Sequence, residues 1–251
     1  MEEKMAEISD DIYFGNFNQK IAELADLTAE NWNFKGKSDN SILKNYLQYT
    51  YKKLCEEGKV VDNKTFAIFN TGLFTEYYEP IYVYLLPNEA GGTQPWYLKS
   101  FCTPYDLGNL GLSSFPERAN YFDDPSLLVF DAKCQVNVQY RHILEDPVNQ
   151  ARIPTSIRTA KNMQLILKGA IDVMKKKVTA NYKIAVPQYY NGTIQLLLPL
   201  CLVDENIPDL ALVVTKNKTG NFYQGHTCLT LEMAYNNARL IAKPDSNWLN
   251  P

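Results

Sequence analysis

Residues 182–202 read YKIAVPQYYNGTIQLLLPLCL, and Asn191-Gly192 at their centre is the strongest hairpin signal in the chain. A two-residue type I′ turn needs positive φ at both central positions, which asparagine and glycine adopt most readily. The spacing therefore predicts an antiparallel hairpin in which Tyr190 pairs with Thr193.

The second half of this stretch, LLLPLCL, is almost continuously apolar. Such a run predicts a central strand that is buried on both faces, and Pro199 within it indicates a bulge or a local edge. Further strands are predicted outside the hairpin because these segments are rich in β-branched and aromatic residues. They are TFAIFN, EPIYVYLLPN, WYLKSF, SLLVFD and LALVVTKN.

Two long amphipathic helices are predicted beside these strands. One covers SILKNYLQYTYKKLCEEG, and the other begins near Thr155 and runs through IRTAKNMQLILKGAIDVMKKKV. Strands and helices in this proportion favour an α+β fold with a mostly antiparallel, mixed sheet and covering helices. We predict an acidic amino-terminal segment at residues 1–30 and a single α+β domain at residues 31–251.

The charge is unevenly distributed along the chain. Residues 1–31 hold two lysines against eight acids, whereas residues 133–183 hold ten Lys and Arg against three acids. On the second long helix, Arg158, Lys161, Lys168 and Lys175 fall opposite the apolar face at 100° per residue. This basic stripe is either a solvated face or a phosphate contact for an anionic partner, RNA or a nucleotide.

The bulk composition excludes several classes of protein. With 45% hydrophobic and 21% charged residues the chain is ordinary globular material. No apolar run approaches the roughly 18 residues that span a bilayer, and the amino end MEEKMAEISDD is acidic where a signal peptide is basic and then apolar. Five widely spaced cysteines without a C-x-x-C pair indicate reduced thiols. We predict a cytoplasmic protein with no membrane partner.

The first candidate site is LTLEMAYNNARLI, residues 229–241, which we predict to be a helix. A helical wheel places Asn236 within an apolar surface, where an unpaired amide costs about 1–3 kcal/mol. Asn236 and Asn237 are therefore expected either to brace a neighbouring loop by hydrogen bonds or to point into a ligand cavity together with Arg239. In that cavity, Arg239 would bind a phosphate or a carboxylate.

The second candidate site is FNTGLFTEYYEPIY, residues 69–82. Asn70, Thr71 and Gly72 fit either a plain hairpin turn or a tight loop with an exposed amide. Glu76 and Glu79 after it are candidate catalytic residues, because paired carboxylates serve as general acid and base or bind Mg²⁺.

Few other residue patterns in the sequence indicate metal binding, catalysis or phosphate binding. The chain has two histidines, which excludes a multi-histidine zinc site, and we predict no metal centre. His226 lies two residues before Cys228 and is a third catalytic candidate, as the base of a Cys-His pair. Neither a G-x-x-x-x-G-K-[ST] phosphate loop nor a strand-linked G-x-G-x-x-G occurs.

The segments FNTGLFTEYYEPIYVYLLPN and TLEMAYNNARLIAKPDSNWL resemble an uncharacterised bacterial family, a domain of unknown function, over roughly residues 30–250. In that family an Asn-Thr-Gly-Leu turn and an Ala-Tyr-Asn-Asn-Ala-Arg-Leu-Ile segment recur, and members look like partners of small RNA-binding modules. The resemblance implies an RNA or nucleotide setting. It carries over Asn70, Thr71, Gly72, Asn236, Asn237 and Arg239 as ligand-binding residues.

Three hypotheses about function follow from these observations. The first is RNA or nucleotide binding in a cleft between the 70–79 loop and the 232–239 helix, with phosphate contacts from Arg158, Lys161 and Lys168. The second is an enzyme that processes a phosphoester or nucleotide, with Mg²⁺ as its possible cofactor. The third is an interaction or structural module.

Overall fold

The structure is a computed structural model that describes residues 7–34, 39–121, 123–244 and 247–249. The chain forms two compact units, residues 1–120 and residues 121–251. In the described residues, each unit holds one five-stranded sheet with one parallel pair at its edge, and the remaining neighbours are antiparallel. The predicted α+β class with mixed, mostly antiparallel pairing is confirmed. A single domain over residues 31–251 stays a prediction.

The first unit has the strand order β1-β5-β4-β3-β2. Its strands are β1 (Ile12–Tyr13), β2 (Val61–Asp62), β3 (Ala67–Phe74), β4 (Pro80–Pro87) and β5 (Trp96–Cys102). Its helices are α1 (Ile8–Asp11), α2 (Phe17–Leu27), α3 (Ser41–Glu56) and α4 (Pro104–Asn109). Helix α3 packs on β3 through an apolar face that includes Leu43, Leu47 and Leu54, each fully buried. The apolar face that the sequence spacing predicted for this helix thus lies against the sheet.

The second unit has the strand order β6-β10-β9-β8-β7. Its strands are β6 (Gln135–Val138), β7 (Val186–Tyr190), β8 (Thr193–Leu200), β9 (Leu210–Lys216) and β10 (Phe222–Thr230). Its helices are α5 (Tyr140–Glu145), α6 (Pro147–Arg152), α7 (Thr155–Arg158), α8 (Met163–Ala180) and α9 (Leu231–Ala238). Short 3-10 segments cover Pro125–Leu128, Tyr182–Ile184 and Asn247–Leu249.

The hairpin prediction at the centre of the second unit is confirmed. Tyr190 pairs with Thr193, and Asn191 and Gly192 have φ of 46° and 74°. Strand β8 is buried on both faces, because Leu196 packs in the cluster beneath α8 while its neighbour Leu197, also buried, points to the opposite side. Strand β7 stops pairing at Leu197, so the predicted local edge at Pro199 is present.

Several local predictions are wrong for reasons of capping. The long basic helix is interrupted between α7 and α8, and α8 starts after Asn162, a residue type that favours helix ends over helix interiors although its side chain makes no cap bond here. The segment SLLVFD contains a 3-10 turn instead of a strand, because Asp124 accepts the Ser126 amide and Pro125 presets the turn. Helix α9 spans Leu231–Ala238, shorter than the expected 229–241, because Thr230 caps it at the end of β10.

Within the described ranges, every helix is too short or too polar to cross a membrane.

Candidate functional site

Asn70, Thr71 and Gly72 do not form a turn, because Thr71, Gly72 and Leu73 are the bulged residues of strand β3 and Asn70 is the last paired residue before them. The register with β4 steps from Asn70–Tyr82 to Phe74–Pro80, so three residues of β3 face one residue of β4. The Asn70 Nδ2 donates to the Pro116 carbonyl (3.3 Å) and its Oδ1 accepts the Gly72 amide (2.9 Å). The Asn70 side chain is 8% exposed, so the expectation of an exposed amide is wrong.

The bulge is held against helix α3. The Thr71 Oγ1 donates to the Ile81 carbonyl (2.6 Å), and the Tyr46 hydroxyl donates to the Thr71 carbonyl (2.9 Å). Gly72 has φ of +76°, and a Cβ there would lie 2.7 Å from the Tyr46 Oη. Glycine is therefore required both for the backbone conformation and for the close approach. These bonds give the Asn-Thr-Gly motif a structural role, and its ligand-binding role stays a prediction.

Glu76 and Glu79 lie at the tip of the β3–β4 hairpin. The tip is ordered by Thr75, whose Oγ1 accepts the amides of Tyr77 (3.3 Å) and Glu79 (3.2 Å). Both carboxylates are exposed, without the water-excluded surroundings that strengthen acid–base catalysis. Hydrogen bonding to Glu76 and its charge raise the pKa of the Tyr77 hydroxyl. No group of three or more His, Cys, Asp or Glu side chains in the described residues is placed to hold a metal ion.

Two polar side chains at the end of helix α9 are buried. Tyr235 is 0% exposed and Arg239 is 3% exposed. Arg239 follows the last turn of α9, and a cation there is stabilised by the negative end of the helix dipole. Asn236 is half-buried.

Asn237 belongs to a chain of side-chain amides. Its Nδ2 donates to the Gln188 Oε1 (3.1 Å), and the Gln188 Nε2 donates to the Gln195 Oε1 (2.7 Å). This chain links α9 to strands β7 and β8. Gln188 is 1% exposed, and the sequence reasoning missed it. Its position two residues after the inward-facing Val186 is the signal that could have found it.

His226 and Cys228 do not form a nucleophile–base pair. Cys228 is fully buried in the core beneath α8, and burial raises the pKa of its thiol to about 12, so it stays protonated at neutral pH. The adjoining backbone is held by Asn149, whose Oδ1 accepts the Cys228 amide (3.2 Å), and by Arg152, whose Nη1 donates to the Cys228 carbonyl (2.6 Å). Arg152 and Asn149 thus tie α6 to β10, a connection that no sequence motif signals.

The exposed cations of α7, α8 and the turn between them form a surface that we call the cationic face. It consists of Arg158, Lys161, Lys168 and Lys176, all of them exposed, and leaves out the exposed Lys177, whose Nζ donates to the Glu205 carbonyl instead. In the described residues, no carboxylate lies within 4 Å of any of these four cations. The Lys168 Nζ lies over the Tyr140 ring, 5.5 Å from its centroid. Lys175, the other predicted member of the basic stripe, is half-buried.

In the first unit, several lysines form ion pairs with glutamates. Three of its α2 and α3 lysines are paired with glutamates, as Lys20–Glu23 (2.7 Å), Lys52–Glu56 (3.9 Å) and Lys53–Glu57 (3.2 Å). The units also differ in composition, with 11 Lys and Arg against 17 acids in residues 1–120 and 14 against 11 in residues 121–251. The second unit therefore has an excess of positive charge, and the cationic face is part of that excess.

The amino end of α8 adds to this charge. Its first turn contains no acidic residue, and Asn162 makes no side-chain cap bond. The positive end of the helix dipole thus lies beside Arg158 and Lys161, although cations there are electrostatically unfavourable for the helix itself. Together these groups favour an anion.

A model of a protein family described as a domain of unknown function, DUF3825, matches residues 24–248. The chain belongs to the DUF3825 family. This confirms the resemblance to an uncharacterised domain family, and the DUF3825 match contains both candidate motifs and the cationic face. No curated protein and no solved structure matches the chain.

Proposed function

We propose that this chain is an RNA- or nucleotide-binding protein, and that the cationic face makes its phosphate contacts. The observation that carries the proposal is the set of four exposed cations without a carboxylate within ion-pair distance in the described residues. In the first unit, by contrast, Lys20 and Lys53 each lie within ion-pair distance of a glutamate. Uncompensated cations attract a polyanion and release its condensed counterions, which drives non-specific nucleic-acid binding.

The spacing of these cations favours a polymer over a single nucleotide. Helix α8 has 18 residues and is therefore about 27 Å long at about 1.5 Å per residue. Lys168 and Lys176 are eight residues apart, which is about 12 Å along the axis. Arg158 and Lys161 extend the face beyond the amino end of α8. One nucleotide is too short to contact all four cations, whereas an RNA strand offers a series of phosphates.

We also place this function in the cytoplasm. All five cysteines are free, and free thiols persist in reducing compartments.

Binding to oligonucleotides of increasing length tests the proposal. Single-stranded RNA of one, four, eight and twelve nucleotides is titrated into the protein, and binding is followed by calorimetry at low salt. The affinity is expected to increase with length until the face is covered. The Lys161→Glu, Lys168→Glu variant is expected to bind more weakly and to show a smaller increase with length, while the charge-matched Lys99→Glu, Lys218→Glu variant behaves like the wild type. Equal binding by the two variants would overturn the assignment.

A second candidate function, an interaction or structural module, is favoured by one observation on the motif residues. Asn70 and Asn237 each hold a hydrogen bond to a partner distant in sequence, Pro116 and Gln188. Under this alternative both asparagines only brace their units. Asn237→Ala would then lower the melting temperature without changing RNA affinity, and a weaker RNA affinity at unchanged stability would refute that alternative.

A further inference from the structure

The second unit contains an apolar cavity of about 300 Å³ beside α8. One stripe of α8 forms its wall, including Ile166, Ala170 and Met174, and Trp248 forms another side. The connection between β8 and β9 completes it with Cys201 and Pro208 and with two polar residues at its edge, Glu205 and Asn206, both exposed. Burial raises the pKa of the Cys201 thiol, in keeping with apolar surroundings.

We propose that this cavity binds a medium-chain carboxylate, with Lys177 holding the carboxylate and the cavity holding the alkyl chain. The site goes beyond the proposed function and does not depend on it.

The walls of the cavity specify the alkyl chain. Water inside an apolar cavity lacks hydrogen-bond partners, so apolar atoms fill it more favourably than water does. A methylene group occupies about the volume of a water molecule, roughly 30 Å³. The cavity therefore accommodates on the order of ten non-hydrogen atoms, the size of a decanoate chain. Val173 at its edge is 47% exposed, an apolar side chain that such a ligand would cover.

Lys177 specifies the charge of the head group. It lines the cavity, and its Nζ donates to the Glu205 carbonyl (2.9 Å), which holds the ammonium against the β8–β9 connection. In the part of the chain that the structure describes, this is its only hydrogen bond, and no carboxylate lies within 4 Å. The ammonium has three donors, so two are available to a carboxylate. A cation at the end of an apolar cavity matches an amphiphile with an anionic head.

Calorimetric titration of the full chain with straight-chain carboxylates tests the site. Hexanoate, octanoate, decanoate and dodecanoate are used below their micelle concentrations. Each added methylene is expected to increase the affinity about threefold to fourfold until the cavity is full, after which the affinity levels off. Decyltrimethylammonium is expected to bind at least tenfold more weakly than decanoate. Equal affinity for the two, no binding of any carboxylate, or no dependence on chain length would overturn the proposal.

Two variants separate the contributions of the head group and the cavity. Lys177→Met keeps the aliphatic stem and removes the charge, and is expected to weaken decanoate binding at least tenfold, whereas Lys176→Met on the exposed side of α8 leaves it unchanged. Val173→Trp, at a partly exposed position, is expected to fill the entrance and block binding. Decanoate affinity that is the same in Lys177→Met and Lys176→Met would refute the role of Lys177.

The variants of the cationic face keep the two proposals distinguishable. Neither Lys161 nor Lys168 lines the cavity. Lys161→Glu, Lys168→Glu is therefore expected to weaken RNA binding while it retains decanoate binding, whereas Val173→Trp is expected to lose decanoate binding and to retain RNA binding. Loss of both activities in Val173→Trp at an unchanged melting temperature would contradict the independence of the two sites.

Discussion

Charge reversal on the cationic face is the sharpest test of the RNA proposal, because its size follows from the number of cations. The perturbation is Lys161→Glu, Lys168→Glu, at two exposed positions for which no ion pair is lost in the described residues. Four cations that each neutralise one phosphate predict a slope of about −2.8 in log K against log salt for a single strand. Between 50 and 200 mM salt, affinity then falls about 50-fold. The double variant keeps two of the four contacts, so its slope should be about −1.4 and its loss about sevenfold.

Fluorescence anisotropy of a labelled twelve-nucleotide RNA at several salt concentrations measures these slopes directly. Lys99→Glu, Lys218→Glu is the matched control, because it changes the net charge by the same amount at exposed positions outside the cationic face. It should keep the wild-type slope. Thermal melts of both variants verify that folding is unchanged. A wild-type slope near zero, or the same change of slope in both variants, would refute the phosphate contacts.

Three further predictions concern the interior. Gly72→Ala should destabilise the protein by more than about 1 kcal/mol in urea unfolding, because φ of +76° and the Tyr46 hydroxyl at 2.7 Å both oppose a Cβ. Gly108→Ala is the control, because nothing lies within 4 Å of a Cβ there, and equal effects of the two substitutions would contradict the argument. Asn237→Ala should lower the free energy of unfolding by about 1–3 kcal/mol, because it leaves the buried Gln188 Oε1 without its donor, and adding Gln188→Leu should recover part of that loss. Strictly additive effects in the double variant would show that the two amides are not coupled. The pKa of Cys228 is raised from 9.0 to about 12 in the fold, so the unfolded chain releases this proton first and the free energy of unfolding should fall between pH 9 and 12. The Cys228→Ala variant should lose stability less steeply over that range. Parallel plots of unfolding free energy against pH for the two proteins would disprove the linkage.

Local signals in the sequence were reliable where one short-range preference acted alone. Asn191-Gly192 predicted its hairpin because positive φ at two successive residues is a property of those residues themselves. Similarly, the exposure of Arg158, Lys161 and Lys168 followed from residue type, since charged side chains are rarely buried without partners.

Predictions were wrong where a local preference competed with capping or packing. A capping bond from Asp124 overcame the strand propensity of SLLVFD. The Asn-Thr-Gly segment matches a turn in composition, yet β4 pairs on both sides of it and converts it into a bulge. Nothing in the residues 70–72 themselves encodes the Tyr46 hydroxyl that closes over Gly72, because that contact joins positions 25 residues apart.

The sequence by itself determined the α+β class, the central hairpin and the family. Each of these depends on residue types and on short spacings along the chain. Backbone conformational preferences and the burial of apolar side chains act directly on such local features. Only the tertiary structure decided that Arg239 and Tyr235 are buried, that Gln188 joins α9 to the sheet, and that Lys177 lies at an apolar cavity. These properties arise from contacts between elements distant in the chain, and a helical wheel or a strand pattern holds no information about which element packs against which face.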